Sequence, residues 1–250
     1  MTQPAWVNRA RLQRPARVTL FCLPFAGGGA SLYRDWPADL PAGVEVCPVH
    51  LPGREARFRE PAFSDVDALV DPLLEGLLPH LGGPFALFGH SMGGLIAFEL
   101  AGRLHHRGVR PTWFFASGCR APHVPLRPDV RYTLPDEEFL ASVRKLNGTP
   151  PQLLENPEIM NLMLPTLRRD FELVETYRYR PRPPLECPVT VFGGRDDPDV
   201  HRDDLEAWRQ QAAGRFELHV LPGDHFFITT SRDEVVRVIG QRLDEATAGA

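Results

Sequence analysis

One stretch, residues 85–100, constrains this chain more than any other. An apolar run of strand length, Phe85 to Phe88, leads into Gly89-His90-Ser91-Met92-Gly93, and an apolar run of helix length follows from Gly94 to Leu104. A short apolar run followed by a longer one, with Ala97 and Ala101 inside it, predicts a buried strand, a sharp turn and a buried helix. The turn fits G-x-S-x-G, a pattern that gains meaning only in that context. Glycine on either side lets the backbone reverse tightly and leaves Ser91 at the tip. A helix that opens there aims its unbonded N–H groups and its positive end at the serine. Such a hydroxyl can attack a carbonyl carbon, with donors in place for the oxyanion. The plainer reading, a glycine-rich turn with an incidental serine, does not account for the matching flanks.

The remaining sequence sets the outer bounds. A chain of 250 residues with 43% hydrophobic and 24% charged residues suits one α/β domain, or one domain with a large insertion. The net charge of −4 asks for neither nucleic acid nor an anionic membrane as partner. No stretch reaches the roughly 18 apolar residues of a spanning helix. The polar, arginine-bearing N-terminus has no apolar signal core. Cys22, Cys47, Cys119 and Cys187 lie in or beside strand-like runs, with no C-x-x-C spacing, so reduced and mostly buried thiols are expected. Together these features predict a soluble, cytoplasmic protein.

Strand-like runs occur at residues 17–23, 44–49, 85–88, 112–117, 187–193 and 215–221. Helical segments are expected between them at 32–40, at 66–80 behind a Ser64 or Asp65 cap, after the elbow, and at 202–211. Pro72 should kink or split the second of these. Ser231 to Glu234 reads as a capping box that opens a terminal helix. Strands alternating with helices predict a mostly parallel, doubly wound α/β sheet.

Two segments stand apart. Residues 50–59 carry Arg54, Arg57 and Arg59, which read as a solvated face or as a site for a phosphate or an acidic partner. Residues 120–184 hold no convincing strand but two helical patterns, 134–146 and 157–177, separated by a break at 147–151 and with an interruption at Pro165. Ile159, Met163, Leu167, Phe171 and Val174 share one stripe of the second pattern, the spacing of a core-facing helix side. A helical insertion above the C-terminal edge of the sheet would be a lid. Its methionines, Met160 and Met163, would suit a groove for varied acyl chains, with Leu167 and Phe171 beside them as substrate contacts.

A serine nucleophile needs a base, and the base needs an acid to hold its tautomer. In the α/β type of serine hydrolase the order along the chain is Ser, acid, His. Ser91 as nucleophile, Asp197 as acid and His225 as base follow that order, each after a strand-like run. Asp196 and Asp224 are weaker rivals for the acid. His90 is expected to pack, and the other histidines show no ligand spacing, so no metal is predicted. The loop Pro24 to Ser31, with its three glycines, lacks the G-K-[ST] ending of a phosphate loop. It is better placed to supply an oxyanion donor, the Ala26 N–H, paired with the Met92 N–H.

Leu23-Pro24-Phe25-Ala26-Gly27-Gly28-Gly29, Leu51-Pro52-Gly53-Arg54-Glu55, the elbow itself, Phe192-Gly193-Gly194-Arg195-Asp196-Asp197-Pro198 and Pro222-Gly223-Asp224-His225-Phe226 together resemble the type II thioesterases. These are stand-alone editing hydrolases that accompany polyketide and nonribosomal peptide synthases. The likeness runs from about Val18 to Leu243. It implies one α/β-hydrolase domain over residues 1–250 with a helical lid at 120–184. It also implies hydrolysis of acyl groups from the phosphopantetheine arm of an acyl or peptidyl carrier protein, without a cofactor. Ser91, Asp197 and His225 match the family's triad, and Ala26 and Met92 its oxyanion donors. Arg54, Arg57, Arg59, Arg120, Arg127 and Arg131 are then candidates for meeting an acidic carrier. The alternatives are a small-molecule carboxylesterase or lipase with the same triad, and a non-catalytic carrier-binding protein of the same fold.

Overall fold

The computed structural model describes residues 6–8, 16–127, 130–146 and 156–248. Six strands, β1 (Val18–Leu23), β2 (Val44–Pro48), β3 (Phe85–His90), β4 (Trp113–Ser117), β5 (Val189–Gly194) and β6 (Phe216–Leu221), form one sheet. Their order is β2-β1-β3-β4-β5-β6, and every neighbouring pair is parallel. The four inner strands are buried along their whole length. This is why they read as continuous apolar runs rather than alternating ones. Alternate residues still divide between two cores. Phe21, Leu87, Phe114 and Val191 face one layer, while Leu20, Phe88, Phe115 and Phe192 face the other.

The first layer holds α1 (Val66–Leu77) and α2 (Met92–His106) together with Trp208. The second holds Tyr33, Trp36 and the terminal helix α6 (Arg232–Ala248), whose Val235, Val236, Ile239 and Leu243 are buried. Trp6 also packs into the first layer, against Gly76 of α1, where a β-carbon would lie 2.0 Å from its ring. Nothing in the sequence pattern announces that contact.

Several local expectations change in the folded chain. Residues 32–40 form two short 3-10 turns, Ala30–Tyr33 and Trp36–Ala38, rather than one helix. Pro37 within the segment has no N–H to give to a helical ladder. Helix α1 is not split at Pro72 but continues to Leu77, because Val66, Leu69, Val70, Leu73, Leu74 and Leu77 bury one continuous face that offsets the lost hydrogen bond. Asp65, not Ser64, caps it by accepting the Ala68 N–H at 2.8 Å. Helix α5 (Arg202–Glu206) passes into a 3-10 turn, Ala207–Gln211. Ser231 donates its hydroxyl to the Pro222 carbonyl at 2.9 Å, back towards the loop that carries His225.

Between β4 and β5 lie α3 (Asp136–Arg144) and α4 (Pro157–Thr176). The break expected at 147–151 lies outside the described residues. Helix α4 continues through Pro165. Phe139 and Val143 of α3 bury Leu167 and Phe171 of α4, with the Phe139 and Phe171 rings edge-on at 5.2 Å. Beyond α4, Tyr177 and Arg182 both bind the Glu99 carboxylate on α2, at 2.7 and 3.1 Å. The segment between β4 and β5 is therefore tied to the sheet layer by a partly buried charge network as well as by apolar packing.

The strand order reverses beside β1. The connection from β1 leads outward to β2, and the connection from β3 leads the other way to β4. The loops leaving β1 and β3 diverge and leave a crevice at the C-terminal ends of the strands. Gly93, at the start of α2, seats there against β1, where a β-carbon would fall 2.2 Å from the Leu23 carbonyl oxygen. Gly93→Ala is expected to destabilise the protein by about 1–3 kcal/mol through that overpacking. A chemical denaturation midpoint unchanged from wild type would contradict this account.

Candidate active site

Ser91 leaves β3 with φ +53°, the left-handed region that a non-glycine residue adopts at a cost. The strain sits on the serine and not on the flanking glycines. Gly89 and Gly93 are needed for close approach instead. A β-carbon on Gly89 would lie 2.1 Å from the Gly93 carbonyl oxygen. The Ser91 N–H donates to the Ser117 carbonyl at 2.7 Å, which anchors the turn to the end of β4.

Three segments meet at this tip. His225, in the loop after β6, has Nε2 at 3.0 Å from Ser91 Oγ and Nδ1 at 2.7 Å from Asp197 Oδ2. Asp197 follows β5, and its other oxygen accepts the N–H groups of Asp199 at 2.9 Å and Val200 at 3.1 Å. Both carboxylate oxygens are thus engaged, and the side chain is shut from solvent. A carboxylate in this position holds the imidazole with Nδ1 protonated and Nε2 free to accept from the serine. The rivals are placed elsewhere. Asp196 is exposed, and Asp224 accepts the Phe226 N–H at 2.8 Å.

Aromatic rings hold the histidine in place. The Phe226 ring lies 5.2 Å from that of His225 and 4.8 Å from that of Phe25. His90 is fully buried, 5.4 Å from the His225 ring, with Nδ1 2.9 Å from the Ser117 hydroxyl. Burial, with a smaller contribution from His225, holds its imidazole well below the ordinary histidine range. It is a neutral packing residue.

A cavity of about 590 Å³ opens beside Ser91, within the usual range for small-molecule sites. Ala26, Met92 and His225 share its lining. Among the described residues, neither the Ala26 N–H nor the Met92 N–H is given to another protein group. Leu95, Val124, Phe171 and Val174 supply apolar wall, and Arg120, Arg127, Arg131 and Arg178 supply charge. Cys119 lies there too, but burial pushes its thiol up to about 12, so it stays protonated and is no competing nucleophile. The four cysteines are free and buried.

Two sequence expectations need correction. Of the proposed acyl contacts, Phe171 lines the cavity, but Met160, Met163 and Leu167 do not. Leu167 packs instead between α3 and α4 and against Gly27. Of the stripe, Leu167 and Phe171 pack in the seam with α3, and Val174 lines the cavity beside Phe171. The arginine loop is not an open basic face either. Arg54 and Arg57 are buried, Arg54 paired with Asp170, and Arg57 paired with Glu60 and stacked over the Trp6 ring at 4.1 Å. Of the three, only Arg59 is exposed. Sequence reasoning gave no role to Glu55 or Asp170. Both accept backbone N–H groups of the loop after β1, and the odd signal for Glu55 is its own φ of +47°.

His90 generates a pH prediction. Below pH 6.5 the unfolded chain protonates this imidazole while the folded chain does not, so folding stability falls as pH falls. The loss is about 1.4 kcal/mol per pH unit until the lowered folded value is reached. His90→Gln should flatten this slope between pH 6.5 and 5. Parallel stability curves for the two proteins would remove His90 as the cause.

The comparisons with known proteins agree with this geometry. The family model described as Thioesterase domain matches residues 18–243. The chain is 44% identical over 248 residues to the protein named linear gramicidin dehydrogenase LgrE of Brevibacillus parabrevis, covering 98% of this chain and 94% of that one. It is 41% identical over 239 residues to the gramicidin S biosynthesis protein GrsT of Aneurinibacillus migulanus, covering 95% and 93%. The solved structure of BorB, the type II thioesterase from the borrelidin biosynthetic cluster, superposes with a TM-score of 0.89 at 36% identity, covering 97% of this chain and 99% of that one. With an all-parallel sheet, an elbow serine after β3 and this match over nearly its whole length, the chain belongs to the thioesterase family and has the α/β-hydrolase fold.

Proposed function

We propose that this protein is a type II thioesterase. It hydrolyses acyl groups from the phosphopantetheine arm of an acyl or peptidyl carrier protein and so clears stalled polyketide or nonribosomal peptide synthases in the cytoplasm. The observation that carries the reading is the continuous chain Asp197, His225, Ser91, with 2.7 and 3.0 Å links, opening onto the 590 Å³ cavity. The names of its relatives, which place them in gramicidin and borrelidin biosynthesis, support the substrate class.

In this scheme Ser91 Oγ attacks the thioester carbonyl while His225 Nε2 takes its proton. The oxygen gains a negative charge and is held by the Ala26 and Met92 N–H groups, each contributing up to about 3–4 kcal/mol. Collapse breaks the C–S bond, and His225 returns the proton to the leaving thiol. Water then attacks the acyl-serine with His225 as base, which frees the acid. Asp197 keeps the imidazole in the required tautomer throughout. Residues 120–184 act as the lid, and the apolar wall around Phe171 takes the acyl chain.

Hydride transfer, suggested by the name of one relative, fits the loop after β1 poorly. In a dinucleotide site the N–H groups there face a pyrophosphate. Here the Glu55 carboxylate takes the Ala30 and Ser31 N–H groups at 2.9 and 3.1 Å. An anion of the protein already occupies that position.

Ser91→Ala should lower carrier-thioester turnover by a factor on the order of a million, and Asp197→Asn by about ten-thousandfold. Near-wild-type single-turnover rates in either variant would sink the triad. A soluble-ester hydrolase would instead favour small esters over carrier thioesters at equal concentration. Exposed Arg59 and Arg127, rather than buried Arg54 and Arg57, remain as cations for an acidic carrier. Added salt should therefore lower kcat/KM for the carrier thioester while leaving a short pantetheine thioester unaffected. Equal salt responses for both substrates would remove charge from the docking step.

A further inference from the structure

The Leu51-Pro52-Gly53-Arg54-Glu55 motif lies behind the loop after β1, where the triad does not use it. Arg54 and Asp170 form a bidentate pair, with Nη2 to Oδ1 at 2.7 Å and Nη1 to Oδ2 at 2.8 Å, and their side chains are 9% and 2% exposed. Such a pair adds little net stability, because desolvating both charges offsets most of their attraction. What it touches is therefore more informative. Asp170 Oδ2 also accepts the Gly27 N–H at 2.7 Å, and Arg54 Nη1 also donates to the Gly28 carbonyl at 3.2 Å.

Residues 25–28 form a turn closed by the Gly28 N–H to the Phe25 carbonyl at 2.9 Å, with Gly27 at φ +77°. That is the signature of a type II turn. Its middle peptide joins Ala26 to Gly27, and such a peptide can flip to the type I arrangement. A flip would turn the Ala26 carbonyl towards the Asp170 carboxylate, oxygen against oxygen. Leu167, one helical turn before Asp170, also packs on Gly27, where a β-carbon would sit 2.8 Å from its Cδ1. The same helix thus holds the turn by shape and by charge. Phe171, the next residue, lines the cavity, so one stretch of α4 touches both the acyl space and this loop.

We propose that Asp170, neutralised by Arg54, is a positioning residue: the pair grips the 25–28 turn at the Gly27 N–H and the Gly28 carbonyl, keeps the turn in its type II form against α4, and so holds the preceding peptide, which carries the Ala26 N–H, facing the reacting oxygen. The insertion helix α4 is by this account part of the oxyanion machinery and not only a cover. The proposal rests on the serine-hydrolase reading above but not on the carrier as substrate.

The test compares wild type with Arg54→Met/Asp170→Leu, which removes both charges together and leaves neither unpaired, and with Asp170→Ala. One readout is hydrolysis of a soluble acyl-pantetheine thioester. The other is affinity for an alkyl trifluoromethyl ketone. In that complex Ser91 Oγ bonds to the ketone carbon, its proton passes to His225, and the resulting alkoxide occupies the oxyanion position. The double variant should melt at or near the wild-type temperature, keep KM within about twofold, and lose about tenfold to a hundredfold in kcat. Ketone affinity should fall by the same factor. Asp170→Ala should show the same parallel loss. Wild-type kcat and ketone affinity in either folded variant would overturn the proposal, as would a loss confined to KM. A wild-type enzyme that cleaves the soluble thioester but not a carrier thioester would overturn the carrier reading and leave this one standing.

Discussion

The contact between Gly93 and the Leu23 carbonyl is the constraint on which the rest of the site depends. It lets the first turn of α2 come down onto the end of β1 with no room for a side chain between them. Ser91 and Ala26 leave neighbouring strands, β3 and β1, whose register pairs Leu23 with Gly89. Bringing the elbow and the loop after β1 this close sets Ser91 and Ala26 in the lining of one cavity. The reversal of strand order beside β1 keeps that space open, because the two chain segments turn away from each other as they leave the sheet.

Around this point the molecule separates rigid parts from adaptable ones. Asp197, His225 and Ser91 stand just beyond the ends of β5, β6 and β3, so their spacing is set by sheet register and by buried backbone hydrogen bonds. Asp197 is held on one oxygen by two N–H groups and on the other by His225. The cavity wall comes mainly from the segment between β4 and β5, which is joined to the sheet through the Glu99 network and the Asp170 pair. Variation in the part of that wall away from Leu167 and Asp170 can reshape the cavity while leaving Ser91, Asp197 and His225 where they are.

The arginines show how charge misleads when read along a chain. Arg54, Arg57 and Arg59 look like one basic face, since nearby cations usually stay in water. Burial of Arg54 becomes tolerable only because Asp170, more than a hundred residues later, meets it with two parallel hydrogen bonds. Arg57 is covered by Trp6 from the N-terminal segment and by Glu60. Glu60 lies only three residues from Arg57, but no local pattern encodes Asp170 or Trp6, and without them the residue type favours the opposite prediction.

By itself the sequence determined the six strands, their parallel winding, the elbow and the identity of Ser91, Asp197 and His225. These depend on short-range signals, namely apolar runs, turn residues and chain order, that tertiary context does not overturn. It also announced the helical pattern between β4 and β5, but not which side of α4 would face the cavity. A stripe of this spacing can equally well be buried by another helix, and α3 takes Leu167 and part of Phe171. Only the tertiary structure decided that the Leu51–Glu55 motif turns inward, that Trp6 docks on α1 and that an aspartate of α4 reaches the loop after β1. Each of these joins residues far apart in the chain, where the free energy of a contact depends on what else is desolvated beside it, and that is known only once the chain has closed.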